Sequence, residues 1–372
     1  MTLSICHMRI HDRHSSPLVR TARCLLAVLC LLLAAWVLPW LYRFATAGKQ
    51  DTPFALYSHI TGGFAFAGRS GGQARYYGAD GQEFSESAFD SILPFFYFRQ
   101  LTADGRFPDS ISGVAVTPYD VQRSNFTFRT TPQECNRKGV PLYPLLESRS
   151  GRVDLTMPDD VFRMERRMEF IDMGSNSVNE DKSRAFTSML EKKGFAFPPS
   201  LIAGNGTARK EYDNGYMMTD AAGKLYNVRM QAGRPYVRPI AMPDGVCPAH
   251  MAVTEFRARD MLAFLFDTQG RFWVLTSEYD MMQVEIPPFY PERMSMVIIG
   301  NMFDWTIRVV ADDGEHLYAV DAQTLERIGT YTFPQPEPSV AERIGKYLLP
   351  VKLTFLSAKD RDVYPRFSFF SE

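Results

Sequence analysis

Outside its one long apolar segment, this chain carries few residues equipped for chemistry. C-terminal to that segment the histidines are His59, His250 and His316, and the cysteines are Cys135 and Cys247. Cys247 and His250 form a Cys-x-x-His pair. Two ligands are half of what a structural zinc site needs, so the pair reads as a loop histidine beside a structural cysteine. Cys135 and Cys247 can form a disulfide in an oxidising compartment, or remain as two buried thiols. No CxxC occurs, so neither a thioredoxin-type redox site nor a c-type haem attachment is supported. Asp312-Asp313 has the composition of a catalytic or calcium-binding pair. It precedes Gly314, however, and Asp is favoured in such turns for geometry alone. Met281, Met282, Met294, Met296 and Met302 carry soft thioethers of the kind that bind copper(I). Alternating on strands, they fill a core. There is no P-loop, GxSxG, HExxH or EF-hand loop. The reading therefore assigns no catalytic residue, no cofactor and no metal.

The elements that must position these residues are mostly strands. Short runs rich in Val, Ile, Tyr, Phe and Trp alternate with Asp/Gly turns. Tyr76 to Phe84 reads as a hairpin around Asp80-Gly81. Further strands are expected at Ile111 to Val116, Phe126 to Arg129 and Val153 to Thr156. A weak repeat follows, in units Tyr216–Tyr226, Phe264–Trp273 and Arg308–Tyr318. Each is an apolar strand, an acidic turn ending in Gly and an apolar–aromatic pair. The pairs begin at Leu225, Phe272 and Leu317, with further strands at Tyr236–Ile240, Met282–Ile286 and Arg327–Phe333. A period near 45 residues with several strands is propeller-blade spacing. The alternative is an irregular pair of β-sandwiches sharing the same turn chemistry.

One helix interrupts the pattern. Ser177 to Lys193 opens with a capping box, Ser177 with Glu180, and stops at Gly194. Together with the charge-dense Asp159–Ile171 it makes residues 157–205 an insertion between β-units, either a lid on its own domain or a partner contact. A short helix is expected over Ser339–Tyr347, then a closing strand, Lys352–Leu356. Phe95 to Phe98 reads as a buried strand, and Pro287 to Pro291 as a stiff loop that either caps a blade or presents a docking surface.

The charge-free run Cys24–Tyr42 is long enough, at about 1.5 Å per residue, to cross a hydrocarbon core of roughly 30 Å. Trp36, Trp40 and Tyr42 gather at its end as a membrane-interface aromatic belt would. Arg9, Arg13, Arg20 and Arg23 precede it, against Asp12 alone. The positive-inside bias makes the N-terminus cytoplasmic and the rest exported, as in a periplasmic domain on the inner membrane. The chain then divides into a tail (1–23), a signal anchor (24–43, touching the bilayer through 24–42), a linker (44–52) and an exported β-rich domain (53–372). Ala45-Thr46-Ala47 fits a signal-peptidase site, but the apolar core is longer than a signal peptide's and Arg43 intervenes.

Composition excludes several classes. The net charge is −1, from 41 Lys+Arg against 42 Asp+Glu, with 13% aromatics and 5 Cys. Disorder, a disulfide miniprotein and a basic nucleic-acid binder are all out. Residues 1–43 hold five Arg and one Asp, which leaves the exported part at −5 and disfavours anionic lipid or nucleic acid as its partner. Asn125-Phe126-Thr127 and Asn205-Gly206-Thr207 match the glycosylation pattern by chance.

The block Ile92-Leu93-Pro94-Phe95-Phe96-Tyr97-Phe98-Arg99-Gln100-Leu101, then Gly105-Arg106-Phe107-Pro108, the anchor and the Asp/Gly repeat carry a resemblance. With them the chain resembles a bacterial family of uncharacterised proteins, a domain of unknown function with one N-terminal membrane segment and a β-rich exported domain. The resemblance implies a companion of transport machinery in the cell envelope and brings no catalytic residues. The expected function is a membrane-anchored, envelope-facing accessory protein that binds a membrane or envelope partner, such as an ABC-type transporter. The alternatives are a cell-envelope hydrolase using carboxylates of a central channel, or a structural or ligand-binding module.

Overall fold

The computed structural model describes residues 17–46, 52–148, 155–334 and 339–369. They divide into two compact units, one of residues 52–334 with 358–361, the other of the N-terminal helix with 339–357 and 362–369.

The larger unit is a series of antiparallel sheets in chain order. The first is β1 (Phe54–Ser58), β2 (Gly63–Ser70), β3 (Gln73–Gly78) and β4 (Glu83–Phe84). Short elements follow: α2 (Glu86–Ile92), α3 (Phe98–Ala103), β5 (Ser110–Ile111), β6 (Val114–Ala115), α4 (Pro118–Ser124), β7 (Phe126–Thr130) and α5 (Pro132–Cys135), with α1 kept for the N-terminal helix Pro17–Thr46. A three-stranded sheet, β8 (Asp160–Met164), β9 (Met168–Asp172) and β10 (Ser177–Val178), leads into α6 (Glu180–Lys192). Two four-stranded meanders come next. They are β11 (Leu201–Gly204), β12 (Tyr216–Thr219), β13 (Leu225–Gln231), β14 (Arg234–Ile240), and β15 (Pro248–Val253), β16 (Met261–Asp267), β17 (Phe272–Thr276), β18 (Met281–Val284). The last meander is β19 (Ser295–Gly300), β20 (Asp304–Ala311), β21 (Gly314–Asp321) and β22 (Arg327–Thr332), extended by β7 alongside β19.

Each of the four larger sheets contributes side chains to at least two hydrophobic clusters. Phe162, Phe170 and Phe186 join β8, β9 and α6 to Tyr216 and Tyr226. Met217 and Leu225 meet Leu265 and Trp273. Phe264 and Phe272 meet Ile298 and Trp305. Leu317 and Ala319 of the last meander pack on Phe64 and Phe66 of the first sheet. A chain whose last sheet packs on its first, through stacked meanders, is mainly β and propeller-like. Burial on both faces also explains why β16 is buried at every position and reads as a continuous apolar run.

The repeat is real, and its acidic turns have a common construction. Asp267 Oδ1 accepts from the Gln269 and Arg271 N–H groups at 3.0 and 2.9 Å, while Oδ2 accepts from Trp273 Nε1 at 3.1 Å. Asp220 repeats this with the Ala222 and Lys224 N–H groups and the Tyr226 hydroxyl. Gly223 and Gly270 close both turns at positive φ. The third unit departs from the pattern: Asp313 sits in the β20–β21 turn and meets His316 at 3.2 Å. Asp267→Ala orphans the turn amides and the Trp273 indole, so urea unfolding should show a loss of about 2 kcal/mol. Exposed Asp313→Ala should cost less than about 0.5 kcal/mol.

Several expectations change. Phe95–Phe98 is not a strand; Phe95 is buried, Phe96 is 45% exposed, and Phe98 opens α3. The strand expected over Ile111–Val116 is the two-residue pair β5 and β6, split by Ser112 and Gly113 at positive φ. Residues 153 and 154 lie outside the described residues, and Thr156 belongs to no strand. The cap of α6 is Asn179, whose side chain accepts from the Lys182 N–H, because Ser177 pairs with Asp172 in the sheet. Gly194 ends the helix as read, at φ +82°. The 157–205 stretch is less a lid than a further sheet with a helix laid on it. The methionines pack into cores, and the Pro287–Pro291 loop turns Phe289 inward, where it is buried.

In the smaller unit, α1 runs past Pro39 to Thr46. It is the one helix among the described residues long and apolar enough to cross a membrane, and little of it is covered. The expected C-terminal helix is α7 (Val340–Leu348), opened by a Ser339–Glu342 capping box. The expected closing strand is β23 (Val351–Thr354). It pairs with β24 (Arg366–Phe369), not with any sheet of the larger unit.

Candidate functional site

A cleft of about 280 Å³ opens where the end of β1, the α2–α3 turn, the start of β7 and the β19–β20 turn converge. Ser58 fixes the first two together, its hydroxyl donating to the Ile92 carbonyl at 2.6 Å. Asn125, just before β7, donates its amide to the Phe95 carbonyl at 2.6 Å. The block Ile92–Phe96, which carries the family resemblance, is thus held as one wall. Gly300 at the end of β19 allows Phe126 and Trp305 to close in, since a Cβ there would lie 2.3 Å from the Phe126 ring.

Asp304 is the charged centre. The Asn301 side chain forms an Asx-turn, accepting from the Phe303 and Asp304 N–H groups at 2.8 and 3.1 Å and donating to Asp304 Oδ1 at 3.1 Å. The other oxygen, Oδ2, is buried and has no hydrogen-bond partner. His59 Nδ1 stands 3.3 Å from it at ion-pair distance, with its ring 4.7 Å from that of Phe303. The side chain is 2% exposed, and burial pushes the carboxyl up to about 7; the Asn301 hydrogen bond opposes the shift and Asp321 adds to it. Tyr57, also in the wall, is raised by burial and then by Asp304. A carboxyl near neutrality beside an imidazole has the parts of an acid–base pair. Yet Asp304 is the one carboxylate among the described residues lining the cleft, whereas glycan hydrolysis by carboxylates uses two.

The cysteines take different places. Both are free, so the Cys135–Cys247 disulfide considered from the sequence is not formed, and Cys247 is exposed rather than buried. Cys135 Sγ instead faces His250 Nδ1 at 3.3 Å, and His250 lies on β15, not in a loop. Burial, then Glu292, pushes the thiol up. Burial pushes the imidazole down, against Glu292. Both shifts favour neutral partners, the opposite of an activated thiolate–imidazolium pair. Among the described residues, no three His, Cys, Asp or Glu side chains gather as a metal site.

A second polar cluster is closed on itself. Lys210 donates to the Asn205 carbonyl at 2.6 Å, to Glu255 Oε1 at 2.7 Å and to Asp213 Oδ1. Asn205 donates its amide to Glu255 Oε2 at 2.7 Å. All three ammonium donors are spent, so the cluster joins the β11–β12 and β15–β16 connections rather than offering a site.

Trp36, Trp40 and Tyr42 lie in the smaller unit. Trp36 meets Phe355 edge-on at 5.3 Å, Trp40 stacks on Phe44 at 5.6 Å, and the Tyr42 hydroxyl donates to the Ala341 carbonyl at 2.7 Å. Gly345 of α7 admits the Tyr42 ring, which a Cβ would meet at 2.6 Å.

Sequence reasoning missed His59 with Asp304. The Asn301-x-x-Asp304 spacing signals the turn, but nothing local pairs β1 with β20.

The family model for a domain of unknown function, DUF4857, matches residues 54–320. No curated protein matches the chain. Among solved structures, apo AztD from Citrobacter koseri is similar at 13% identity, covering 78% of this chain and 74% of its own, with a TM-score of 0.30. The Cps50 (Swd1) β-propeller domain of Myceliophteria thermophila is similar at 6% identity, covering 78% and 89%, with a TM-score of 0.25. Likeness at that level carries no statement about activity.

Proposed function

The chain belongs to the DUF4857 family, a domain of unknown function, and from that premise we propose that it is a membrane-retained, envelope-facing accessory protein that acts by binding. The observation that carries this reading is the packing of α7 and β23 on α1, through Tyr42 with Ala341 and Trp36 with Phe355. A signal peptide leaves after export and has no need of a built seat. Here residues beyond the family match, which ends at 320, form that seat around Trp36 and Tyr42. The arginines before the apolar run support a cytoplasmic N-terminus. The propeller-like body would then be presented at the outer face to a membrane complex, an ABC-type transporter being the class the resemblance points to.

Epitope tags at both ends, followed together in a membrane fraction, test retention. One species carrying both tags is the expected result; loss of the N-terminal tag from the mature protein overturns the anchor. Mild crosslinking followed by affinity purification from detergent tests the accessory role, and a protein that runs alone counts against it.

A further inference from the structure

We propose that the cleft around Asp304 binds a small organic cation bearing N–H donors, a primary ammonium or guanidinium end group. The inference goes beyond the anchoring reading and holds whether or not α1 is retained. Its basis is the set of polar atoms the fold leaves without hydrogen-bond partners. Asp304 Oδ2 and Asn125 Oδ1 are both buried without a hydrogen-bond partner, and both residues line the cleft. The donors that could have satisfied them are used elsewhere. The Asn125 amide goes to the Phe95 carbonyl and the Asn301 amide to Asp304 Oδ1. His59 stands at ion-pair distance, 3.3 Å, from Oδ2 without forming a hydrogen bond, so the acceptor keeps no hydrogen-bond donor of its own.

Two orphaned acceptors ask for donors, and a buried carboxylate is best met by positive charge. The walls agree: the aromatic residues Tyr57, Phe95, Phe96 and Phe126 line the cleft, and aromatic faces attract an ammonium or guanidinium. An anion would meet the same acceptors with repulsion. A volume of about 280 Å³ lies at the small end of ligand cavities and suits one end group with a short chain. A free amine and an Arg or Lys side chain of a peptide share this chemistry.

Calorimetry on the full-length protein in detergent micelles at neutral pH tests it, with agmatine as free cation and acetyl-Gly-Arg-Gly-amide as side-chain source. Tetramethylammonium controls for charge without N–H donors. At least one donor-bearing probe should bind; the tighter of the two identifies the source. Tetramethylammonium should bind at least roughly tenfold more weakly. Asp304→Asn should weaken the donor-bearing probe roughly 10- to 100-fold, the cost of a charge-assisted hydrogen bond. Phe96→Ala, at a half-exposed position that tolerates truncation, should weaken it several-fold. No heat from either probe at about 10 mM overturns the proposal. So does equal binding by Asp304→Asn, or tetramethylammonium binding as well as agmatine.

Discussion

Asp304→Asn should raise the melting temperature of the protein at pH 8 and leave it nearly unchanged at pH 4. The folded carboxyl titrates at about 7, against about 3.9 for an unfolded Asp. Between those values the folded state binds the proton that the unfolded state has released. Stability therefore falls as pH rises through this window and is lowest above 7. Three pH units correspond to about 4 kcal/mol as a ceiling, and Asn, of nearly the same shape, removes that cost at pH 8. At pH 4 the folded Asp is already neutral, so the gain there should be below about 1 kcal/mol. The groups facing Asp304 are His59, Asn301 and, at longer range, Asp321. They are unchanged in the variant, so the difference between the two melting curves isolates the carboxyl. Equal melting shifts at both pH values would show that burial does not control this group. A substitution that stabilises the fold while weakening a ligand is the trade expected where a strained group is kept for binding.

The sequence carried the local part of this architecture and not the long-range part. The Asp/Gly hairpins were legible because Asp220 and Asp267 bond amides within four residues of themselves. The chemistry that builds those turns is written in adjacent positions. The same holds for the Ser339–Glu342 capping box and for Gly194. Phe95–Phe98 was misread because four apolar residues in a row carry no period; a wall of the cleft buries Phe95 and leaves Phe96 half-exposed. The Asp304 site was illegible for a stronger reason. Its members come from the residue after β1, the residue before β7, the β19–β20 turn and the start of β20, and they meet only because the last meander packs on the first sheet. Cys135 was matched in sequence with the one other cysteine beyond the apolar run, yet its neighbour in space is His250, on a strand whose register nothing near Cys135 dictates. In the two glycosylation-like motifs, Asn125 donates its amide to the Phe95 carbonyl and Asn205 to Glu255.

Lys210→Met should be the most destabilising single change, costing about 3–5 kcal/mol at neutral pH. Lys210, Asp213 and Glu255 have side chains only 4%, 3% and 4% exposed, so solvent screens them little. Methionine fills the volume of the lysine stem but supplies no donor, and leaves two buried carboxylates without their cation. Their remaining partners are neutral: the Asn214 N–H and the Asn205 amide for Glu255, the Gly215 N–H and the Ser148 hydroxyl for Asp213. Burial already pushes Glu255 up, held in check first by the Lys210 hydrogen bond. Removing the lysine drives it higher, so Glu255 should take up a proton in the folded variant. A raised folded value contributes stability at low pH and loses it as pH rises. The deficit of Lys210→Met, read by urea unfolding, should therefore be smaller at pH 5 than at pH 8. Adding Glu255→Gln should recover part of the loss at pH 8 by cancelling one of the stranded charges. If the double variant is as unstable as the sum of its two single changes, the charges do not act on one another. The cluster would then owe its stability to packing, and the joint between the β11–β12 and β15–β16 connections would not be electrostatic.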